Sequence, residues 1–178
     1  AAGPVVVDGP PPVPEVIVGG DVPAASLAAP EPPMPQALPI DHEGRVALDH
    51  GTLRLSPELR PEVRLVGSEV AFAIAEGWAW TALPAGSRQQ ISVTLPLGML
   101  TIGGDTTVLT SVEDDGTCFV VVVGGEAVLQ HPAGRMRLRT GAMVLAPPGA
   151  EPQADVASLD EIAADPLVAL NQGLDARR

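Results

Sequence analysis

The chain has 178 residues, including 20 Pro and 19 Gly, and its 22 acidic residues against 10 basic ones give a net charge of −12. So negative a chain repels phosphate backbones, and without a broad basic patch it is not expected to bind nucleic acid. No run of 18 apolar residues is present to span a bilayer as a helix, the glycines lack the three-residue period of collagen, and 46% hydrophobic residues suffice to bury a core, which excludes global disorder.

Residues 1–40 hold 11 of the 20 prolines, and Asp8, Glu15, Asp21 and Glu31 are their only charges. Proline fixes φ and removes a backbone donor, so neither a helix nor an interior strand can run through this stretch. A Pro-rich extended arm is expected. Two β-branched runs interrupt it, Val5-Val6-Val7 and Val16-Ile17-Val18. Either the arm is a linker, or these runs add edge strands to a partner or to another copy. The Ala-Ala-Gly start fits cleavage after a small-residue site, or truncation of a longer protein with a membrane segment elsewhere.

From Asp41 to Pro152 the hydrophobic period is two. Val46/Leu48, Leu53/Leu55, Val63/Leu65, Val70/Phe72/Ile74 and Ile91/Val93/Leu95 alternate, with Pro and Gly between them. Asp115-Gly116 reads as a hairpin turn. Thr117–Val123 is apolar on both faces, as in a central strand covered on both sides. Short strands with turns every 8 to 12 residues predict an all-β jelly roll, β-roll or sandwich over residues 41–152.

Residues 153–178 predict two short helices. Ser158-Leu159-Asp160-Glu161 is a capping box, and Asp165-Pro166 is an N-cap followed by Pro at the first helical position. Leu167, Leu170 and Leu174 form the expected apolar stripe of the second helix.

Residues that could carry chemistry are few. The single cysteine, Cys118, lies in an apolar run without a basic neighbour and reads as a buried hydrophobe, not a reactive thiol. His42, His50 and His131, with Asp41, Glu43 and Asp49, read as solvated loop residues, so no metal or cofactor is expected. Ser68 and Ser111 have no histidine nearby in sequence, and no Gly-x-Ser-x-Gly occurs. Glu113-Asp114-Asp115-Gly116 lacks the spaced ligands of a calcium loop. No catalytic residue is expected.

Two features are candidate partner-binding groups. Arg135, Arg137 and Arg139 alternate on one strand and so share a face. They would grip an acidic partner, or form a charged solvent face opposite Met136 and Leu138. Trp78 and Trp80 also share a face; exposed, they would anchor a partner, and buried, they are core.

The stretch from Val63 to Pro152, about half the chain, resembles the FecR family. The resemblance rests on Leu95-Pro96-Leu97-Gly98, Ile102 to Thr107, Asp115-Gly116-Thr117, Val120–Val123 with Gly124-Gly125-Glu126, then Gly134, Leu138 and Gly141. It implies a non-catalytic, extracytoplasmic sensing or protein-interaction module of the bacterial cell envelope. Its partners would be envelope proteins or copies of itself, and any membrane contact would run through a segment outside this chain. The Pro-rich arm and the C-terminal helices depart from the family pattern. An alternative is a structural subunit of a surface assembly, whose arm completes a neighbour's sheet. Gly141-x5-Pro147-Pro148-Gly149 also resembles half of the second cupin motif, with Pro152 where that motif has histidine. A cupin-like small-molecule binder is therefore a second alternative.

Overall fold

The computed structural model describes residues 32–177; the runs Val5-Val6-Val7 and Val16-Ile17-Val18, and with them the choice between linker and added strand, lie outside the described residues. In chain order the strands are β1 (Gln36–Leu38), β2 (Arg45–Val46), β3 (Thr52–Leu55), β4 (Val63–Val66), β5 (Glu69–Ala73), β6 (Gly77–Leu83) and β7 (Gln90–Leu95). They continue as β8 (Gly98–Ile102), β9 (Thr106–Val112), β10 (Cys118–Gly124), β11 (Glu126–His131), β12 (Gly134–Arg139), β13 (Ala142–Ala146) and β14 (Gln153–Val156). Two helices close the chain, α1 (Leu159–Ala163) and α2 (Pro166–Asp175).

The strands form two seven-stranded sheets, ordered β1-β4-β5-β7-β8-β11-β12 and β14-β13-β10-β9-β6-β3-β2. The all-β sandwich expected from the alternation is therefore present. Strands β1 and β14 extend the pairing to either side of residues 41–152. Strand β1 runs between Pro35 and Pro39 and, among the described residues, pairs with β4 alone. That is the edge position a proline-flanked strand can occupy.

Period-two alternation sends one set of side chains from each sheet into a shared core. Ile91 and Val93 of β7, Leu100 and Ile102 of β8, and Val120 and Val122 of β10 are all fully buried there. Fully burying one such side chain contributes about 1.5–3 kcal/mol. Every ladder is antiparallel except β5–β7, which is parallel with Val70 beside Ile91 and Phe72 beside Val93.

Turn chemistry sets the hairpins. At β9–β10 the Thr117 N–H donates to Asp115 Oδ1 at 2.7 Å, and the Glu113 N–H to the Thr117 carbonyl at 2.9 Å. The Thr117 N–H, and after it the Thr117 side chain, hold the Asp115 carboxyl below its ordinary pKa. After β12 the chain crosses between the sheets: the Thr140 N–H donates to the Gly125 carbonyl at 3.0 Å and the Gly141 N–H to Val122 at 2.9 Å.

Both helices start where the sequence signals them. Ser158 Oγ accepts from the Glu161 N–H at 3.2 Å while Glu161 Oε2 accepts from the Ser158 N–H at 2.8 Å. Asp165 Oδ1 accepts from the Leu167 and Val168 N–H groups at 2.9 and 3.1 Å. The buried side of α2 differs from the expected leucine stripe. Val168 and Asn171 are buried, Leu167 and Leu174 are half-buried, and Leu170 is 52% exposed. The helix is rotated because Asn171 and Asp175 are drawn inward by a buried arginine. Among the described residues, no helix is long and apolar enough to cross a membrane.

Candidate interaction faces

The outer faces of the two sheets differ in kind. On the first sheet, strand registers align Arg64, Ala71, Ser92, Thr101, Val128 and Arg137 in one row across β4, β5, β7, β8, β11 and β12. The middle of the row, Ala71, Ser92, Thr101 and Val128, carries no charge. Glu69 accepts a short hydrogen bond from the Ser92 hydroxyl beside it.

Among the described residues, strand β12 ends this sheet, with β11 as its one partner strand. Arg135, Arg137 and Arg139 all lie exposed on its outer side, while Leu138 points into the core. The cross-strand neighbour of Arg139 is Glu126, and that carboxylate takes both Arg139 Nε at 3.4 Å and Arg137 Nη1 at 3.8 Å. Arg135 lies opposite Gln130 and has no carboxylate within ion-pair distance among the described residues. One carboxylate against three guanidinium groups leaves the stripe net positive. Exposed pairs of this kind contribute about 0.2–1 kcal/mol each.

On the second sheet, the tryptophans share the outer face as the alternation requires. This face is covered by α1 and α2. Trp80, Leu109 and Val121 are buried against Ile162 of α1 and Val168 of α2, and Trp78 is half-buried at the margin. Trp80 is thus held within the chain, with its indole N–H donating to Asp175 Oδ2 at 2.9 Å.

Arg54 is the next residue in that row, paired with Trp80 across β3 and β6. Its side chain is 3% exposed. Nη2 donates to Asp175 Oδ1, and Nη1 donates to Asn171 Oδ1 at 2.9 Å and to the Asn171 carbonyl at 3.2 Å. Asn171 Nδ2 donates to the Leu167 carbonyl at 2.9 Å, which fixes the amide. Arg54 Nε is buried without a partner. Sequence reasoning missed Arg54, Asn171 and Asp175. The available signals were an arginine in register with Trp80 and the Asn171-x3-Asp175 spacing, which puts both side chains on one helix face.

Between the sheets, a cleft of about 400 Å³ opens at the end that carries the Pro96–Leu97, His131–Pro132 and Pro147–Glu151 turns. Cys118 lines it, buried, with its thiol 3.6 Å from the Gly116 carbonyl. Burial pushes the thiol's pKa up. His131 Nδ1 accepts from the Ala133 N–H at 3.1 Å, a turn contact. His42 lies 4.0 Å from Glu43 at the surface. Among the described residues, no three His, Cys, Asp or Glu side chains converge as a metal site. Pro152, which stands where the cupin motif has histidine, lines a smaller adjoining hollow with Arg135 and Glu151.

No family model matches the chain, and no curated protein matches it. Among solved structures, it is similar to crystal structures of candidate anti-sigma factors from Parabacteroides distasonis. One has a TM-score of 0.54 at 13% identity, over 74% of this chain and 64% of that one. Another has a TM-score of 0.49 at 14% identity, over 75% of this chain and 60% of that one. The chain spans less than two thirds of the length of these structures, and the likeness to the first is one of fold.

Proposed function

We propose that this chain is a non-catalytic protein-interaction and sensing module of the bacterial cell envelope, of FecR-like type, that engages its partner through the outer face of the first sheet. The observation that carries this reading is the β12 stripe: Arg135, Arg137 and Arg139 exposed side by side on an edge strand of an otherwise acidic chain. A stripe with one shared carboxylate attracts an acidic partner and steers its approach. The strand-and-turn resemblance to the FecR family supports the class, and the fold likeness to a candidate anti-sigma factor is consistent with it.

The test has two arms. A reporter enzyme active only outside the cytoplasm, fused after Arg178 with whatever precedes the chain in its gene retained, is expected to be active. Crosslinking in envelope fractions is expected to capture a partner with the native chain and to lose it with Arg135→Glu, Arg137→Glu and Arg139→Glu combined, the sandwich remaining folded by circular dichroism. An inactive reporter, or capture unchanged in the triple variant, would overturn the reading.

A small-molecule binder is the second reading, favoured by the cleft beside Cys118 and His131. Binding of a small ligand there would shift the His131 ring resonances and raise the melting temperature. If ligand screening produces neither effect, this reading fails.

A further inference from the structure

We propose that the C-terminal segment from β14 through α2 is an exchangeable element, which two copies of the chain trade to form a two-fold dimer. This goes beyond the interaction-module reading. It identifies a second copy of the chain as a partner and places the contact on the second sheet, away from the Arg135–Arg139 stripe.

The receiving surface is specific. Registers set Val121, Leu109, Trp80 and Arg54 side by side across β10, β9, β6 and β3. The row is apolar for three positions and ends in a buried cation. An element seated on it must bring apolar side chains first and then a carboxylate. Ile162, Val168 and Asp175 do this, with Asn171 completing the guanidinium's bonds. Every copy carries the same element, so a second chain is complementary by identity. Lifting the element uncovers Trp80, Leu109 and Val121 together, a contiguous apolar surface that demands a new occupant.

The element is lightly attached elsewhere. All four β14 side chains are exposed, and its one strand partner among the described residues is β13. Helix α1 buries Ile162 alone, and α2 buries Val168 and Asn171. The connection to β13 is Pro147-Pro148-Gly149-Ala150-Glu151-Pro152. It folds back through one turn, the Ala150 N–H donating to the Pro147 carbonyl at 3.1 Å. Pro148 and Gly149 occupy the central positions, and Gly149 has φ +72°, the order that a type II turn requires. Opened out, these six residues reach about 20 Å, and their prolines favour the extended form. Closed and exchanged forms share the same contacts, so the hinge and the protein concentration set the balance between them.

The test is a charge exchange in the full chain. Asp175→Arg and Arg54→Asp each place like charges at the latch, in the closed and the exchanged form alike, so neither variant alone is expected to dimerise more than the native chain by light scattering. In a mixed dimer one latch is native and the other has its charges reversed, so both are complementary. Mixing the two variants is therefore expected to produce a one-to-one heterodimer, identified by native mass spectrometry. A mixture that remains monomeric with both variants folded overturns the proposal, as does a mixed dimer no more abundant than the dimers each variant forms alone. If either variant fails to fold, Gly149→Val decides. It strains the closed turn of both copies, and at equal concentration it is expected to raise the ratio of dimer to monomer by at least about tenfold over the native chain. An unchanged ratio overturns the proposal.

Discussion

Asp175 shows how one carboxylate organises a covered face. It accepts from the Arg54 guanidinium and from the Trp80 indole, so one side chain satisfies both polar groups of the row beneath α2. Losing it leaves Arg54 as a charge that is 97% enclosed, with Asn171 as its remaining partner. Breaking a buried pair from one side costs more than the pair itself contributes, because the surviving ion is stranded. Asp175→Ala is therefore expected to destabilise the fold by about 2–3 kcal/mol, less than the roughly 3–5 of a fully buried pair because Asp175 is 28% exposed, measured by urea unfolding followed through tryptophan emission. Arg54→Met in the Asp175→Ala background is expected to recover most of that loss, since an apolar side chain suits the neighbouring Trp80. A double variant less stable than Asp175→Ala alone would mean that Arg54 is held by groups other than Asp175.

At the scale of the element, α1 depends on its first turn. The Ser158 N–H, and after it the Ser158 hydroxyl, donate to the Glu161 carboxylate and hold it below its ordinary pKa. A folded-state pKa lower than the unfolded one means that stability is present above the ordinary carboxylate range and is lost as the pH falls through the folded value. Glu161→Gln keeps the cap, since Gln serves in a capping box, but removes the titration. Between about pH 5 and pH 2, the Glu161 amide resonance is expected to lose its shift in step with protonation in the native chain and to stay level in the variant. A pH-dependent shift that persists in the variant would assign the effect to another acid. These caps were legible because each is written in four adjacent residues, as is the hairpin at Asp115-Gly116. The inward face of α2 was not. Leucine spacing alone points to Leu170, whereas Arg54, 117 residues earlier in the chain, draws Asn171 and Asp175 inward. Arg54 itself lies between Leu53 and Leu55, where alternation assigns it to solvent, and only the presence of α2 makes that outer face an interior. The parallel β5–β7 ladder was hidden for a related reason: alternation reports which face a strand buries, not which strand lies beside it.

Over the whole molecule, charge is the dominant long-range term. All ten cations are arginines, and 22 carboxylates oppose them. Several arginines sit in local surface pairs, Arg45 with Glu43 at 2.9 Å and Arg64 with Glu62 at 2.7 Å. Added salt weakens these pairs, each worth about 0.2–1 kcal/mol. It also screens repulsion among the excess carboxylates, which acts over longer distances. Raising ionic strength from about 0.01 to 0.15 M shortens the screening length from about 30 to 8 Å. That removes long-range repulsion almost entirely, while contacts near 3 Å lose much less. The repulsive loss outweighs the attractive one, so the melting temperature is expected to rise with salt by a few degrees, measured by scanning calorimetry at fixed pH and protein concentration. The stripe on β12 responds in the opposite sense: attraction of an acidic partner to Arg135, Arg137 and Arg139 weakens over the same range, so capture declines while the fold becomes more stable. A melting temperature that falls as salt is added would show that the local arginine pairs, not the net charge, govern the electrostatic stability of this sandwich.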